Sequence, residues 1–326
     1  MNSTDISNET GLTVFSAFDG ISIGQLALKQ LGIKINKYYA SEIDPNPIKV
    51  TQHHFPETVQ LGDIRNIDAN TLPKIDLVLC GSSCQDLSVM NKVRLGLQGN
   101  KSSVFFDAVR ILNVIREKNP NCIFLFENVI MPSVDKQIFT ELLGVKAPVN
   151  INSGLLGPAF RNRLYFTNLN DITIPEDRGT YLNDVIENGM LPPNTKGKCI
   201  LTRGAGQTVN ALHRHLKRSV GNVVYLDEQY CNLSKRFKKI QLEQIENDQS
   251  VKRLFRPISI LEAERCMTIP DGYTAILKPT ARLKCLGNAF HLETIKYILR
   301  HSGLIANAIK PVPSDNAVNS FTKVAS

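Results

Sequence analysis

The sequence predicts an α/β protein: a mostly parallel, doubly wound, Rossmann-like sheet with a smaller second domain. Three observations predict it. From Leu12 to Asn170, short runs of apolar and β-branched residues alternate with helical periods, the pattern of a parallel sheet flanked by helices. Polar residues, four of them acidic, stand where those runs end. A segment from Lys196 to Arg256 breaks the pattern and holds thirteen Lys/Arg against five Asp/Glu, which is the entire +8 excess of the 326-residue chain.

The first run is Thr13 to Phe18, broken by Asp19-Gly20. A helix follows over roughly Ser22 to Leu31, with Ile23, Leu26, Ala27 and Leu31 at helical spacing and Gly32 as its stop. The second run, Lys37 to Ser41, ends at Glu42, and the third, Thr58 to Leu61, ends at Gly62-Asp63. The fourth, Ile75 to Cys80, ends in the small polar turn Gly81-Ser82-Ser83-Cys84-Gln85. Ser102 and Ser103 offer a cap to a helix whose core face is Val104/Phe105, Ala108, Ile111/Leu112 and Ile115. The fifth run, Cys122 to Phe126, ends at Glu127-Asn128. Further on, Ser259-Ile260-Leu261-Glu262 has the capping-box pattern, and Ile295, Ile298 and Leu299 mark an amphipathic helix. The ends, 1–10 and 310–326, read as flexible.

Composition narrows the function class. A hydrophobic share of 42% and a charged share of 21% are those of an ordinary globular chain, with no apolar stretch of bilayer length and no signal peptide. Seven scattered cysteines are not a disulfide framework, so a reducing compartment, the cytoplasm of a bacterium or a host cell, is expected. Neither Cys80/Cys84 nor His53/His54 has a second ligand pair at zinc spacing, and no metal is expected. A segment carrying the whole basic excess reads as a patch for a polyanion, with nucleic acid ahead of a membrane surface.

The arrangement of the run ends carries the chemistry. Asp19, Glu42, Asp63, Cys84 and Glu127 all fall at the carboxyl ends of predicted parallel strands, where open α/β sheets bind ligands. Any one of the acids could be a helix cap; five polar ends in register are hard to assign to capping. A thiol on a polar turn suits a nucleophile, which needs partial exposure and nearby donors to populate its thiolate. The first turn lacks both the dinucleotide fingerprint and the phosphate-loop lysine, so pyrophosphate is not indicated. Glu42, 22 residues beyond Gly20, has the spacing of a ribose-hydroxyl acceptor. Asp63 offers an acceptor for an adenine amino group. A nucleoside without phosphate points to S-adenosyl-L-methionine.

Phe18-Asp19-Gly20-Ile21, Glu42, Gly62-Asp63-Ile64, Gly81-Ser82-Ser83-Cys84-Gln85, Phe126-Glu127-Asn128-Val129, Arg161-Asn162-Arg163 and Gly287-Asn288-Ala289 resemble, in order, the motifs of the DNA (cytosine-5) methyltransferases. The wording around Cys84 resembles the animal de novo branch most, and the likeness runs from about Leu12 to Leu304. The resemblance implies an S-adenosylmethionine-dependent methyltransferase fold and a cofactor set of Phe18, Asp19, Gly20, Ile21, Ile23, Glu42, Ile43, Asp63, Ile64, Gly81, Val104, Asn288 and Ala289. It implies a catalytic unit over 11–190, a basic target-recognition region over 191–256, and a return to the catalytic unit over 257–308. Two positions depart from the pattern: Ser83 stands where the family usually has proline, and Phe160 where its arginine motif often begins with glutamine.

The reaction implied is methyl transfer to carbon 5 of a cytosine flipped out of duplex DNA. Cys84 would add to ring carbon 6, Glu127 would serve the ring N3, and Arg163, with Arg161, would bind the base carbonyl or orient Cys84 and Glu127. Ser88 and Met90 lie in the loop expected over the flipped base, Met90 as a wedge or as a residue packing on its own domain. Arg203 is the candidate guanine reader. A stand-alone restriction-modification type of bacterial or phage enzyme is expected, its oligomeric state open. An RNA-directed relative and a catalytically silent DNA-binding relative are the alternatives; a thiol hydrolase lacks a histidine near a strand end.

Overall fold

The structure, a computed structural model, describes residues 11–81, 104–202, 208–218, 221–245 and 248–303. In chain order the elements are β1 (Leu12–Ala17), α1 (Ile23–Gln30), β2 (Ile35–Ser41), α2 (Pro45–His54), β3 (Val59–Gln60), β4 (Leu77–Gly81), α3 (Val104–Lys118), β5 (Ile123–Val129), α4 (Ser133–Leu143), β6 (Val149–Asn152) and β7 (Asn162–Thr167). Then come α5 (Val209–Arg218), β8 (Val223–Tyr225), α6 (Glu228–Asn232), α7 (Lys235–Glu243), α8 (Asp248–Leu254), β9 (Phe255–Pro257), α9 (Ile260–Cys266), α10 (Pro279–Asn288) and α11 (Leu292–Arg300).

Seven strands form one sheet in the order β3-β2-β1-β4-β5-β7-β6, parallel from β3 through β5, with β7 antiparallel to both its neighbours. The strand order reverses between β1 and β4, which opens a crevice at their carboxyl ends. Both faces are covered, and this explains the near-continuous apolar runs. Leu77 and Leu79 of β4 face the layer of α1 and α11, whereas Val78 and Cys80 face the layer of α3 and α4. On that second face Phe105 stacks on Phe139 with centroids 3.7 Å apart, an arrangement worth about 1 kcal/mol beyond its area. Gly24 lets α1 lie close on the other face: a Cβ there would meet Leu79 Cδ1 at 2.3 Å.

All five runs shift at one or both ends by one to three residues from the sequence expectation, and two of the shifts have a clear pairing cause. The third run shrinks to Val59–Gln60, because an edge strand has one neighbour and pairs only with Tyr39 and Ala40. The fifth runs past Glu127 to Val129, because β7 supplies a partner where β4 stops: Gly81 pairs with Glu127, and Val129 with Arg163. Glu127 therefore sits inside a strand rather than on a loose turn. The tight helix core face on α3 is as expected, with Phe105, Ala108, Ile111, Leu112 and Ile115 buried.

Between Leu182 and Pro257 the chain leaves the large sheet and builds the two-stranded pair β8–β9 with α5 to α8 around Leu212, Tyr225, Leu242 and Phe255. It returns at Ser259, whose hydroxyl accepts from the Glu262 amide while Glu262 accepts from the Ser259 amide, the capping box read in the sequence. α11 then packs on α1.

Candidate active site

The turn after β1 bends sharply. Phe18, Gly20 and Ser22 all have positive φ, at 54°, 60° and 59°. For Phe18 and Ser22 that conformation costs on the order of 1 kcal/mol each, so something must hold it. Asp19 does: it accepts from Ser22 Oγ at 2.7 Å and from Tyr38 Oη at 2.8 Å, beneath the surface. Burial pushes its carboxyl up to about 6, with Glu42 adding to the rise and the hydroxyl donors from Ser22 and Tyr38 opposing it. The bent turn points the Gly20 amide at Glu42 Oε2, 3.0 Å away. Glu42 Oε1 takes the amides of Ile43 and Asp44 at 2.8 and 2.9 Å, which fixes the carboxylate at the end of β2.

A cavity of about 570 Å³ opens over these strand ends. Glu42 and Asp63 lie on one side of it, Glu127, Arg161 and Arg163 on the other, and Phe18, Ile43, Ile64 and Val104 supply apolar wall. Ile43 is 69% exposed, an apolar surface that a flat ring could cover. The returning segment closes the rim: Lys284 of α10 pairs with Asp44 at 2.6 Å, and Tyr273 Oη reaches the Ile21 carbonyl at 2.9 Å.

Glu127 is 6% exposed and stands between two arginines. Arg163 Nε is 3.0 Å and Arg161 Nε 3.7 Å from its Oε1, yet among the described residues neither Glu127 Oε1 nor Arg161 Nε has a well-directed hydrogen bond. Buried polar atoms are normally satisfied, and both of these residues line the cavity. Arg161 Nη1 also donates to the Gly287 carbonyl at 3.1 Å, tying the end of α10 to this wall.

Residues 12–137 match the family model of the C-5 cytosine-specific DNA methylases. Over those residues the chain is similar to a C-5 cytosine-specific DNA methylase. An orphan methyltransferase of Bacillus phage rho11s, M.Rho11sI, is 29% identical over 267 residues, which are 75% of this chain and 50% of that protein. The type II methyltransferase M.NgoBV of Neisseria gonorrhoeae is 31% identical over 135 residues, 41% of this chain and 31% of that protein. The chain thus spans half or less of the length of these curated relatives. A Spodoptera frugiperda DNMT2 variant superposes with a TM-score of 0.62 at 18% identity, covering 89% of this chain and 99% of that one. The Entamoeba histolytica methyltransferase EhMeth gives 0.65 at 14% identity over 90% and 98%. At such identities the likeness establishes the α/β methyltransferase fold.

The structure brings most expected site residues to one cavity: Phe18, Gly20, Ile21, Glu42, Ile43, Asp63, Ile64, Gly81, Val104, Glu127, Arg161, Arg163 and Asn288 line it. Asp19, Ile23 and Ala289 do not. Asp19 fastens the turn from below, Ile23 is buried in the α1 layer, and Ala289 caps α10 with its side chain packed inside. Asp63, expected to accept from an adenine, is gripped by Arg65 through its Nε at 3.0 Å and by an ion pair, and those hydrogen bonds hold its carboxyl below the usual range. Cys84, Ser88, Met90 and Arg203 lie outside the described residues; β4 ends three positions before Cys84. Sequence reasoning missed Asp44, Arg65 and Lys284. Only Asp44 carried a signal, as an acid just before Pro45 at a helix start.

Proposed function

We propose that this chain is a DNA (cytosine-5)-methyltransferase that methylates carbon 5 of a cytosine flipped out of duplex DNA. The observation that carries this reading is the buried Glu127 carboxylate, its Oε1 without a well-directed donor among the described residues, lining the same cavity as Glu42. The strand next to it, β4, leads into Cys84.

S-adenosyl-L-methionine fits the residues present and, when bound, supplies an electrophilic methyl group. The Glu42 carboxylate would take the ribose hydroxyls, since each of its oxygens keeps acceptor capacity beside the backbone amides. Ile43, Phe18 and Ile64 would cover the adenine faces, and Asn288 would close the rim. The Cys84 thiolate forms a bond to cytosine carbon 6, and the displaced electron pair moves toward N3. There Glu127 holds a proton, while Arg163 and Arg161 keep that carboxyl aimed and neutralise charge at the base carbonyl. Carbon 5, made electron-rich, would be the atom that takes the donor's methyl group, the donor's sulfur keeping the electron pair of the bond that breaks. Loss of the carbon 5 proton to a solvent base and cleavage of the sulfur–carbon 6 bond, with the N3 proton returned to Glu127, would restore the aromatic ring and the Cys84 thiolate.

The division into a catalytic unit over 11–190 and 257–308 and a recognition region over 191–256 belongs to the same reading. The basic region would meet DNA phosphates, with Arg203, Ser88 and Met90 as base and stack contacts. Transfer of labelled methyl from S-adenosylmethionine to duplex DNA and to tRNA tests the substrate, and bisulfite sequencing of plasmid from expressing cells locates the base. Duplex methylation abolished by Cys84→Ser is the expected result. Methylation of tRNA alone, or a Cys84→Ser variant as active as the wild type, overturns the reading.

A further inference from the structure

A second cavity, of about 510 Å³, lies in the basic region and shares no lining residue with the first. Its lining includes the apolar Leu182, Leu191, Leu216 and Val223. It also includes Lys196, Lys198, Lys235 and Lys238, and no Asp or Glu among the described residues.

Two of the four lysines are engaged. Lys196 Nζ donates to the Gly154 carbonyl at 2.6 Å and pairs with Asp177 at 2.9 Å. Lys238 Nζ donates to the Cys231 carbonyl at 2.8 Å and sits 4.2 Å over the Tyr225 ring. Lys198 and Lys235 differ: among the described residues neither takes part in an ion pair. Lys198 is nevertheless fixed, because Asn222 clamps its main chain, accepting from its amide at 2.6 Å and donating to its carbonyl at 2.8 Å. Lys235 is the first residue of α7, where Ser234 caps the helix. Burial and then the charge of Lys235 lower the Lys198 pKa, so the two ammonium groups are near enough to oppose each other.

The start of α7 sharpens the point. Lys235 and Arg236 occupy its first turn with no acid beside them, against the positive end of the helix dipole. Lys198 is half-buried and Lys235 exposed; two such opposed cations are unfavourable alone and favourable around an anion, above all one with several acceptor oxygens. The cavity, at about 510 Å³, is larger than a phosphate, and its leucines and Val223 offer apolar surface to a ring.

We propose that this second cavity binds a nucleoside phosphate, with the phosphate between Lys198 and Lys235 and the base against the apolar wall. The ligand is either a free nucleotide or one unit of a DNA strand. The site shares no residue with the first cavity; its DNA source rests on the reading of 191–256 as a DNA-contacting region, and its free-nucleotide source does not.

The test is equilibrium binding of thymidine monophosphate, thymidine and a short fluorescent duplex to the full chain. Wild type, Lys198→Gln, Lys235→Gln and the double variant are compared. Thymidine monophosphate should bind the wild type and lose roughly tenfold or more in affinity in the double variant, with thymidine binding far more weakly throughout. If the source is DNA, duplex affinity falls in parallel and the nucleotide competes for it; if the source is a free nucleotide, duplex affinity is unchanged. The proposal is overturned if the wild type does not bind the monophosphate, or if the double variant binds it as the wild type does. S-adenosylmethionine binding, measured on the same variants by calorimetry, should not move. An absence of DNA methylation alongside intact nucleotide binding would count against the catalytic reading and not against this site.

Discussion

Glu127 and Arg163 are diagonal neighbours across antiparallel β5 and β7, with Arg163 Nε 3.0 Å from Glu127 Oε1. Glu127 is buried and Arg163 half-buried, and Arg161, just before β7, flanks the pair. Replacing Glu127 by Gln keeps the shape and removes the charge and the proton-holding group. Methyl transfer should fall by about 10²- to 10⁴-fold. The change also leaves the buried Arg161 and half-buried Arg163 guanidinium groups without this counter-charge, at a stability cost of about 3 kcal/mol. Rates are therefore compared at a temperature where circular dichroism shows the variant folded. A folded Glu127→Gln variant with wild-type turnover would remove Glu127 from the reaction.

The sheet and most of its site were legible in the sequence because both rest on local patterns. Buried parallel strands need unbroken apolar runs, and a site at their ends needs polar residues where those runs stop; Glu42 and Glu127 announce themselves that way. The role of Asp19 was not legible. Its neighbours in the motif line the cavity, while its own carboxylate turns inward to Tyr38, a contact set by the twist of β2 beside β1. Lys284 was equally hidden, since its pairing with Asp44 spans 240 residues and depends on how the returning helix docks. Local pattern fixes which strand ends carry chemistry. Long-range packing decides which of those side chains face it.

Asp19 also predicts a pH dependence. Its carboxyl is raised from 3.8 to about 6 in the folded chain, chiefly by burial. A group that holds its proton more tightly when folded contributes stability that is complete below the unfolded value and lost as pH rises through the folded one. Two units correspond to about 3 kcal/mol, withdrawn between about pH 4 and pH 7. Asp19→Asn keeps an acceptor for Ser22 or Tyr38 and cannot ionise. Its melting temperature should gain on the wild type steadily across that interval. Parallel pH profiles for the two proteins would show that Asp19 does not titrate in this window.

Glu42 is held by three backbone amides, from Gly20, Ile43 and Asp44, so its carboxylate is preorganised before any ligand arrives. Glu42→Gln replaces one acceptor oxygen with a donor that faces those amides. Affinity for S-adenosylmethionine should drop roughly ten- to a hundredfold, the worth of one or two hydrogen bonds to a charged group. Calorimetric titration reads this directly. The KM for the methyl donor should rise far more than kcat falls, and a change in kcat alone would place Glu42 outside the donor site.

Glu262 and Arg256 join the basic region to the helix that returns to the large sheet. Arg256 Nη2 is 2.6 Å from Glu262 Oε1 and Nη1 2.7 Å from Oε2, a two-pronged pair around a carboxylate with no exposed side-chain surface. Burial works against the ionised form, but the Arg256 hydrogen bonds and the amides of Glu187 and Ser259 outweigh it and hold the carboxyl below its usual range. Its contribution is therefore present above the unfolded pKa and lost as pH falls through the lower folded one. Glu262→Gln should cost about 3 to 5 kcal/mol near neutrality, because it strands a guanidinium and weakens the capping box. Adding Arg256→Met to Glu262→Gln removes the stranded charge and should recover a large part of that loss, as chemical denaturation of the four proteins in the cycle would show. Additive losses in the double variant would mean that the two side chains stabilise the joint independently, through packing rather than through their pairing.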